Sequence, residues 1–420
     1  MIHIGVDTTL FGNPTAFLTL SFVRLYIILD INDLSVYERL IMKPLKYRRL
    51  PKWSKRIIWR SRIFLDPSGL AKATNKLRHS HNDHVKNPEI WKRTFRQLIK
   101  SGLGYDQYIE DFYNVTIEQH TTTDPQGDIS LICIVKNDLS RVRVLIEYYR
   151  HLGIQHFIML DDNSSDGTRE FLLSQDDVDL WSSSSGYTTS MRQAWISRLI
   201  DIYGFNKWYL VVDSDEFLTY PNYENIPLPL IVRAMRETGI KRAHCFLLDM
   251  YSKNGLFFPY DEDEFMKEYS YFDKSGYQIT DRTKLTNLSG GMRVRLFSFN
   301  SFFLSKSPLF YAEPGFAPCN SHYSFPFSSL GEELNLGVLR HYKFLPQDRE
   351  KYSLRIKQAN FSSGSSEYST YMDEYQQTND SIYDESISAE FQSSKSLEAL
   401  ALPADSKIDF SFIERINQGR

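Results

Sequence analysis

The central part of the chain alternates short apolar runs with longer segments in which apolar residues recur every three or four positions. Short β-branched runs predict buried strands, and the recurrence every three or four positions predicts amphipathic helices. Strands that alternate with helices in this way imply βαβ units, so the pattern predicts an α/β fold with a mostly parallel sheet flanked by helices. The predicted strands are 129–135, 154–160, 208–212 and 243–251, and the predicted helices are 139–153, 164–175 and 190–204.

Acidic residues gather directly after the second and third predicted strands. In sheets of this kind, ligands bind at the edge where the carboxyl ends of the parallel strands meet. Carboxylates brought together there repel one another unless a cation lies between them, and a hard divalent cation often carries substrate phosphates as further ligands. The pattern therefore indicates a metal- and phosphate-binding edge in preference to a solvated turn. The acids concerned are Asp161 and Asp162 in DDNSSDGT, and Asp213, Asp215 and Glu216 in YLVVDSDEFL.

Basic and amide side chains are predicted at the same edge. Lys136 and Asn137 follow the first strand, and Arg192 lies with Gln193 near the start of the third helix. Backbone N–H groups at the start of a helix, together with a cation, provide a site for phosphate. Polar side chains from several strand and helix ends thus converge on one edge of one sheet, which random surface charges would not do.

The order of these motifs resembles that of the family 2-like glycosyltransferases of GT-A fold. The likeness rests on ICIVKNDLSRVRVLIEYYRHLGIQHFIMLDDNSSDGT followed by WYLVVDSDEF, and it continues through GGMRVRLF (290–297) to HYKFL (341–345). It covers residues 128–355 and is closest to the branch with KN after the first strand and DxDEF at the metal site. The resemblance implies a Rossmann-like GT-A domain, a nucleotide-diphosphate sugar donor, a saccharide or glycoconjugate acceptor, and Mn²⁺ or Mg²⁺ as cofactor.

The resemblance also implies roles for individual residues. Asp162, with Asp161 as its alternative, would contact the base or ribose of the nucleotide. Asp215 would bind the metal directly, Asp213 would address the ribose or the metal, and His341 would complete the metal shell. The chemistry agrees, because a metal neutralises the charge that develops on a departing nucleoside diphosphate. The full nucleotide-sugar set is Lys136, Asn137, Asp161, Asp162, Arg192, Asp213, Arg293 and Arg295, and the metal set is Asp213, Asp215 and His341.

Two arginines stand two positions apart in GGMRVRLF and would share a face if this segment were a strand. Either Arg293 or Arg295 could then make a bidentate contact with the diphosphate. Lys306 and Lys343 could also hold phosphate, although a lysine is more often a surface residue. His322 is less well placed than His341 to be a metal ligand, and a hydrogen-bonded core histidine is the alternative for both.

Inverting transfer needs a carboxylate that takes the proton of the acceptor hydroxyl. Asp249 is the first candidate, because it ends a predicted central strand that would hold it rigidly. Asp273 in YFDKSGY is the second candidate. The acidic run DEDEF (261–265) is interpreted as a solvated loop.

Charge and composition divide the chain into three predicted parts. Residues 1–120 carry 19 Lys and Arg against 11 Asp and Glu, and 43–62 holds nine basic residues interleaved with aromatic ones. Such a segment suits peripheral contact with an anionic membrane or with an anionic polymer, and a solvated basic helix face is the alternative. Nucleic-acid binding is not expected, because no binding motif accompanies the charge. Residues 128–355 form the predicted GT-A domain, and 356–420 form a Ser- and acid-rich tail that is either helical or flexible.

The remaining composition bears on location and on competing functions. Three cysteines without CxxC spacing argue against a disulfide framework or a zinc site. The apolar run 16–29 is too short to span a bilayer. We therefore expect a reduced cytoplasmic location, with peripheral contact at the inner membrane face through the basic segment. The leading interpretation is a metal-dependent inverting glycosyltransferase of surface polysaccharide synthesis. The alternatives are a nucleotidyltransferase, although no Gly-rich basic loop follows the first strand, and a non-catalytic sugar-binding assembly module. A haloacid dehalogenase-type phosphatase would carry its DxD on the first strand, not the third.

Overall fold

The structure is a computed structural model that describes 115–119, 127–183, 187, 189–261, 264–282, 285–297, 303–313, 316–318, 321–322, 324–325, 333–358, 366–377 and 382–418. All of these residues belong to one compact unit of the chain. The basic segment 43–62, the apolar run 16–29 and Cys319 lie outside the described residues. None of the helices within the described ranges combines the length and the apolarity needed to cross a bilayer.

The described elements alternate between strands and helices through most of the chain. The strands are β1 (Val115–Gln119), β2 (Ile129–Val135), β3 (Phe157–Asp161), β4 (Val178–Ser183), β5 (Lys207–Val211), β6 (Glu216–Thr219), β7 (Arg242–Asp249), β8 (Tyr271–Asp273), β9 (Gln278–Arg282), β10 (Leu285–Ser289), β11 (Ser305–Ala312), β12 (Ala317–Pro318), β13 (Ser324–Phe325), β14 (Leu334–His341) and β15 (Ser388–Glu390). The α-helices are α1 (Leu139–His151), α2 (Thr168–Leu173), α3 (Thr189–Tyr203), α4 (Leu228–Glu237), α5 (Phe265–Glu268), α6 (Gly291–Leu296), α7 (Pro346–Gln358), α8 (Ser366–Gln377) and α9 (Phe410–Gln418).

A nine-stranded sheet with the order β1-β4-β3-β2-β5-β11-β7-β14-β6 forms the centre. Strands β4, β3, β2 and β5 are mutually parallel, and β7 pairs in parallel with β14. β11 is antiparallel to both β5 and β7, so these two parallel groups point the same way, while β1 and β6 run antiparallel to their neighbours at the two edges. The predicted α/β fold with a mostly parallel sheet flanked by helices is therefore confirmed.

Helices cover both faces of the parallel strands, and the alternation of side chains along β2 explains why. Leu131 and Cys133 point to the face where α1 packs, and Ile132 points to the opposite face, where α3 packs. Helix α1 is buried along one stripe that recurs every three to four residues, as its sequence predicts. The strands are consequently apolar on both faces, which leaves polar residues for the ends.

Strands β14 and β6 approach each other unusually closely at one glycine. A Cβ atom added to Gly337 would lie 2.2 Å from the carbonyl oxygen of Thr219 and 2.9 Å from the Cα of Tyr220. Glycine therefore allows this edge pair to form, and the pairing carries the start of β6 to the end of β14, where His341 stands opposite Glu216.

The described residues after 355 contribute helices, strand β15 and buried side chains to the fold. Tyr371 on α8 is fully buried against Phe297 and Phe344. Phe412 on α9 is buried in the same core, and β15 pairs with β8. Of the two possibilities left open by the composition, a helical or a flexible segment, the described part is helical over α8 and α9, while strand β15 and irregular segments lie between these two helices. Aromatic residues supply the packing surface that the scarce aliphatic ones do not.

Candidate functional site

The DSD segment forms a tight turn between β5 and β6. The backbone N–H of Glu216 bonds to the Asp213 carbonyl at 3.1 Å, and the Glu216 carboxylate accepts from the Asp213 N–H, also at 3.1 Å. The Asp215 carbonyl accepts the N–H of Tyr342 at 2.9 Å. The turn is therefore fixed at both ends, and it holds Asp215 beside the end of β14.

Three neighbouring strands place acidic and imidazole side chains in a row at this edge. His341 ends β14 and stands opposite Glu216 of β6 on one side and opposite Asp249 of β7 on the other. His341 Nε2 lies 3.4 Å from Asp215 Oδ2, and its Nδ1 lies 2.7 Å from Asp249 Oδ1. Burial alone would lower the pKa of His341, but Asp215 and Asp249 raise it above its ordinary value.

Asp215, Glu216 and His341 form a group suited to a metal ion, which we call the metal group. One ligand atom from each residue can be chosen so that all lie within 4.8 Å of one another. Carboxylate oxygens and imidazole nitrogens are both ligands of divalent metal ions in proteins. The donor set therefore fits a divalent cation. The structure thus brings together two of the three metal ligands expected from the sequence, and it places Glu216 where Asp213 was expected.

Asp213 lies instead between two cations. Its Oδ1 lies 2.6 Å from Arg192 Nη2 of α3, and its Oδ2 lies 3.0 Å from Lys306 Nζ of β11. Burial opposes the charged form, yet the two cations lower the pKa of Asp213. Lys306 also pairs with the buried Glu216, whose pKa burial raises in spite of that contact. The charge of Asp213 is therefore already balanced by the protein itself.

At the ends of β2 and β3, one carboxylate keeps an open oxygen. Asp162 pairs through Oδ2 with Lys136 at 2.9 Å, while its buried Oδ1 has no hydrogen-bond partner within the described part of the chain. Burial raises the pKa of Asp162, and Lys136 together with a hydrogen bond from the Tyr187 backbone offsets part of that rise. Asp161 is equally buried, but its carboxylate accepts the N–H of Ser164 at 3.0 Å and lies 3.9 Å from Arg169. Of the two candidates, Asp162 is therefore the one with capacity for a ligand.

Asn137 joins the two loops at this edge of the sheet. Its Oδ1 accepts the N–H of Ser165 at 2.7 Å, and its own N–H donates to Ser164 Oγ at 2.8 Å. It adopts a left-handed conformation with φ of 48°, which asparagine tolerates better than most residues. These contacts give Asn137 a structural role in shaping the loops.

The two arginines of GGMRVRLF are separated, because this segment is helix α6 and not a strand. Arg293 donates from Nε to Asp249 at 2.7 Å, whereas Arg295 binds Asp273 through two hydrogen bonds of 2.8 and 2.9 Å. Residues two apart on a helix point in different directions, so they share no face. Arg293 is therefore linked to the metal group through Asp249, and Arg295 is not.

Both carboxylates predicted as a base are buried and held by arginine. Burial would raise the pKa of Asp249, but Arg293 and His341 lower it to about 2, and the residue is 5% exposed. Asp273 is 2% exposed and binds the Tyr251 hydroxyl as well as Arg295. These contacts favour a positioning role for Asp249 and a structural role for Asp273, since both carboxylates are buried and already paired with an arginine.

For three further charged or titratable residues near the site, the sequence gave weak evidence or none of a functional role. His322 is not in the metal group: its Nδ1 lies 3.0 Å from the Ser305 carbonyl, and burial lowers its pKa to about 3. Lys343 follows His341 by two residues and approaches Glu367 of α8 at 3.0 Å. Glu367 lies in a Ser- and acid-rich stretch where no pattern distinguishes it from its neighbours.

Comparisons with known proteins find no matching family model and no matching curated protein. Among solved structures, a glucosyl-3-phosphoglycerate synthase from Mycobacterium tuberculosis, in complex with Mn²⁺, UDP and glucosyl-3-phosphoglycerate, is 15% identical over 29% of this chain and 44% of that chain, with a TM-score of 0.21. A mannosyltransferase from Pyrobaculum calidifontis, in complex with GDP-Man and Mn²⁺, is 11% identical over 37% and 45%, with a TM-score of 0.22. A nucleotidyl transferase from Methanothermobacter thermautotroptrophicus is 11% identical over 60% and 99%, with a TM-score of 0.23. The chain spans less than half the length of the first two.

Proposed function

We propose that this protein is a metal-dependent glycosyltransferase that moves a sugar from a nucleotide-diphosphate donor to a saccharide or glycoconjugate acceptor. The observation that carries the proposal is the convergence of Asp215, Glu216 and His341 at the carboxyl edge of the sheet. The DxDEF and KN motifs, which resemble those of family 2-like glycosyltransferases of GT-A fold, lie at the same edge. A metal group next to a nucleotide-binding strand end is what donor activation requires.

Asp215 and His341 are proposed as the main metal ligands. Bound Mn²⁺ or Mg²⁺ would stabilise the negative charge of the leaving nucleoside diphosphate. Glu216 is the third candidate ligand, although Lys306 competes for its carboxylate. Asp249 holds the His341 ring through Nδ1, so that Nε2 is directed toward Asp215.

Asp162 is proposed to bind the nucleotide. Its buried Oδ1 can accept a hydrogen bond, and an imide N–H of the base or a ribose hydroxyl would supply the donor. Lys136 holds the other oxygen and fixes the rotamer of the side chain. Asp213, whose carboxylate is 35% exposed between Arg192 and Lys306, is proposed to address the ribose in preference to the metal.

Three further parts of the proposal rest on sequence alone. Inversion at the anomeric carbon follows from the family resemblance. A role in surface polysaccharide synthesis follows from that resemblance together with the basic and aromatic N-terminal segment. Contact with anionic membrane follows from the basic segment 43–62. Inversion can be tested by ¹H NMR of the first-formed product, and retention of the anomeric configuration would remove this part of the proposal.

The function can be tested by a thermal-shift screen of UDP, GDP, ADP and CDP with and without Mn²⁺, followed by a hydrolysis screen of the matching nucleotide sugars. We expect one nucleoside diphosphate to raise the melting temperature only when Mn²⁺ is present, because mass action stabilises the folded state. Release of that diphosphate from its sugar would establish donor use. Release of pyrophosphate from a nucleoside triphosphate and a sugar phosphate would instead identify a nucleotidyltransferase.

A further inference from the structure

An acidic side chain from the C-terminal part of the chain occupies a basic position beside the metal group. Glu367 Oε1 on α8 lies 3.0 Å from Lys343 Nζ and 3.6 Å from Arg293 Nη1. Tyr371, one turn further along α8, donates its hydroxyl to the same oxygen. Two cations and one hydroxyl therefore converge on a single carboxylate.

One of these cations is close to the metal group in sequence, and the other is connected to it through hydrogen bonds. Lys343 follows His341 by two residues, and Arg293 binds the second oxygen of Asp249, whose first oxygen binds His341. Asp215 contributes to the electrostatic environment of Lys343. A diphosphate that meets a metal at Asp215 and His341 needs cations close by for its remaining oxygens, and arginine and lysine are the side chains that bind such oxygens.

Glu367 presents to these cations the charge that a phosphate would present. Burial would raise its pKa, but Lys343 and Arg293 lower it to about 2, so the carboxylate is ionised at neutral pH. Its side chain is 30% exposed, which leaves it a route toward solvent by rotation. The group is thus an internal anion held at a site that is not sealed.

Helix α8 is held by aromatic contacts in addition to this carboxylate. Tyr371 packs against Phe297 and Phe344, and Tyr368 packs against Tyr352 with ring centroids 4.9 Å apart. Buried aromatic contacts of this kind contribute more to docking a helix than a partly exposed ion pair does. Glu367 is therefore not the main anchor of helix α8.

We propose that Lys343 and Arg293 form a binding site for the diphosphate of the donor, and that Glu367 is its internal occupant, which the diphosphate displaces by rotation of the glutamate side chain. The inference rests on the proposed function, because it assigns a donor phosphate to the site. Its consequence is a built-in competition: apparent affinity for a diphosphate is reduced by the fraction of molecules in which Glu367 occupies the site. Removing the charge of Glu367 should remove the competitor.

The test compares the wild type with Glu367→Gln, which keeps the size of the side chain and a hydrogen-bond acceptor for Tyr371. Asp373→Asn is the matched control, because Asp373 is an exposed acid on the same helix. The full chain is titrated by calorimetry at pH 7.5 with inorganic pyrophosphate in the presence of Mn²⁺, and separately with UDP or GDP and Mn²⁺. The double variant Glu367→Gln with Lys343→Gln shows whether any increase in affinity requires Lys343.

We expect Glu367→Gln to bind pyrophosphate about tenfold more tightly, since a charge-assisted competitor has been removed. Asp373→Asn should bind like the wild type, and the double variant should lose the gain. Unchanged or weaker binding in a folded Glu367→Gln protein overturns the inference, as does an equal gain in Asp373→Asn. Tighter pyrophosphate binding without binding of any nucleotide would support the anion site and contradict the proposed function. If a nucleotide binds with Mn²⁺ but Glu367→Gln does not bind it more tightly, the proposed function is supported and the anion site is contradicted.

Discussion

His341 Nδ1 donates a hydrogen bond of 2.7 Å to Asp249 Oδ1, and this contact determines which nitrogen of the imidazole is left for a metal. The pKa of Asp249 is held near 2 by Arg293 and His341 despite burial, so the carboxylate is ionised and can only accept the proton. Nε2 then faces Asp215. A carboxylate that fixes the tautomer and orientation of a ligating histidine is a frequent second layer of metal sites.

This relationship separates two roles for Asp249. If it positions His341, Asp249→Asn should weaken Mn²⁺ binding by about tenfold or more, because the amide orients the ring less strongly. If it were the base, the same change would leave metal affinity unchanged while transfer is lost. Calorimetric titration with Mn²⁺, with Asp273→Asn as the control carboxamide, distinguishes the two. Unchanged Mn²⁺ affinity in folded Asp249→Asn would contradict the positioning role.

Asp215 should be the dominant metal ligand. Asp215→Asn removes the negative charge nearest His341 Nε2, so we expect Mn²⁺ binding to fall by more than tenfold and Mn²⁺-dependent nucleotide binding to disappear. The fold should persist, because the side chain lies at a partly exposed turn. Asp176→Asn, an exposed acid in the loop before β4, is the control. Wild-type Mn²⁺ affinity in Asp215→Asn would remove Asp215 from the metal group.

Local sequence patterns predicted the parallel half of the sheet because each of its strands and helices carries its own apolar periodicity. Strand 129–135, helix 139–153 and strand 208–212 correspond to β2, α1 and β5 within one or two residues at each end. Their apolar periodicity is repeated at every turn or pleat, so each segment carries its own signal. The acid clusters at strand ends also follow from this local order, since parallel strands end at one edge.

Long-range features of the site were not predictable in the same way. β11 lies between β5 and β7 and brings Lys306 to Asp213, which is 93 residues earlier in the chain. No local pattern encodes a contact over that separation. The segment GGMRVRLF alternates like a strand, yet it forms α6, and the helix directs Arg293 and Arg295 to two different buried carboxylates. In the C-terminal segment, tyrosines take the place of aliphatic core residues, so its packing could not be predicted from its low aliphatic content.

The close contact at Gly337 should make this position intolerant of a methyl group. Gly337→Ala places its Cβ against the carbonyl of Thr219, so β6 must shift, at a cost of about 2–3 kcal/mol. Because β6 begins at Glu216, Mn²⁺ affinity should fall as well. Gly239→Ala is the comparison: its φ of 74° is strained for alanine but no atom lies within 4 Å, so about 1 kcal/mol is expected. Equal losses of unfolding free energy in urea would contradict the steric explanation.

Acid should destabilise the protein through its buried ion-paired carboxylates. Burial opposes ionisation, yet neighbouring cations hold the pKa of both Glu367 and Asp249 near 2 in the folded state, below the ordinary values of 4.5 and 3.8. Groups with a depressed folded pKa stabilise the protein above the unfolded pKa and lose that contribution as pH falls. We therefore expect the loss between about pH 4.5 and 2. Glu367→Gln should show a shallower decline of unfolding free energy over this range, by about 2 kcal/mol; a slope equal to that of the wild type would contradict the assignment.

Lys306 acts as an internal counter-ion for two acids of the DSDE turn, so its removal should make the protein depend more strongly on a metal. It contacts Asp213 at 3.0 Å and also pairs with Glu216. In Lys306→Met these carboxylates lose a shared cation, and their mutual repulsion should lower the melting temperature of the metal-free protein. Mn²⁺ bound at Glu216 and Asp215 would relieve that repulsion, so the rise in melting temperature on adding Mn²⁺ should be larger than in the wild type.

The control for this prediction is Lys241→Met, which removes an exposed lysine from a surface pair with Glu313. A surface pair of this kind contributes little, so both the metal-free melting temperature and its response to Mn²⁺ should stay close to those of the wild type. The measurement is differential scanning calorimetry at pH 7.5 over a series of Mn²⁺ concentrations, on all three proteins. If Lys306→Met gains no more from Mn²⁺ than Lys241→Met does, the metal does not reach Glu216, and Asp215 with His341 would be left as the only protein ligands proposed for it.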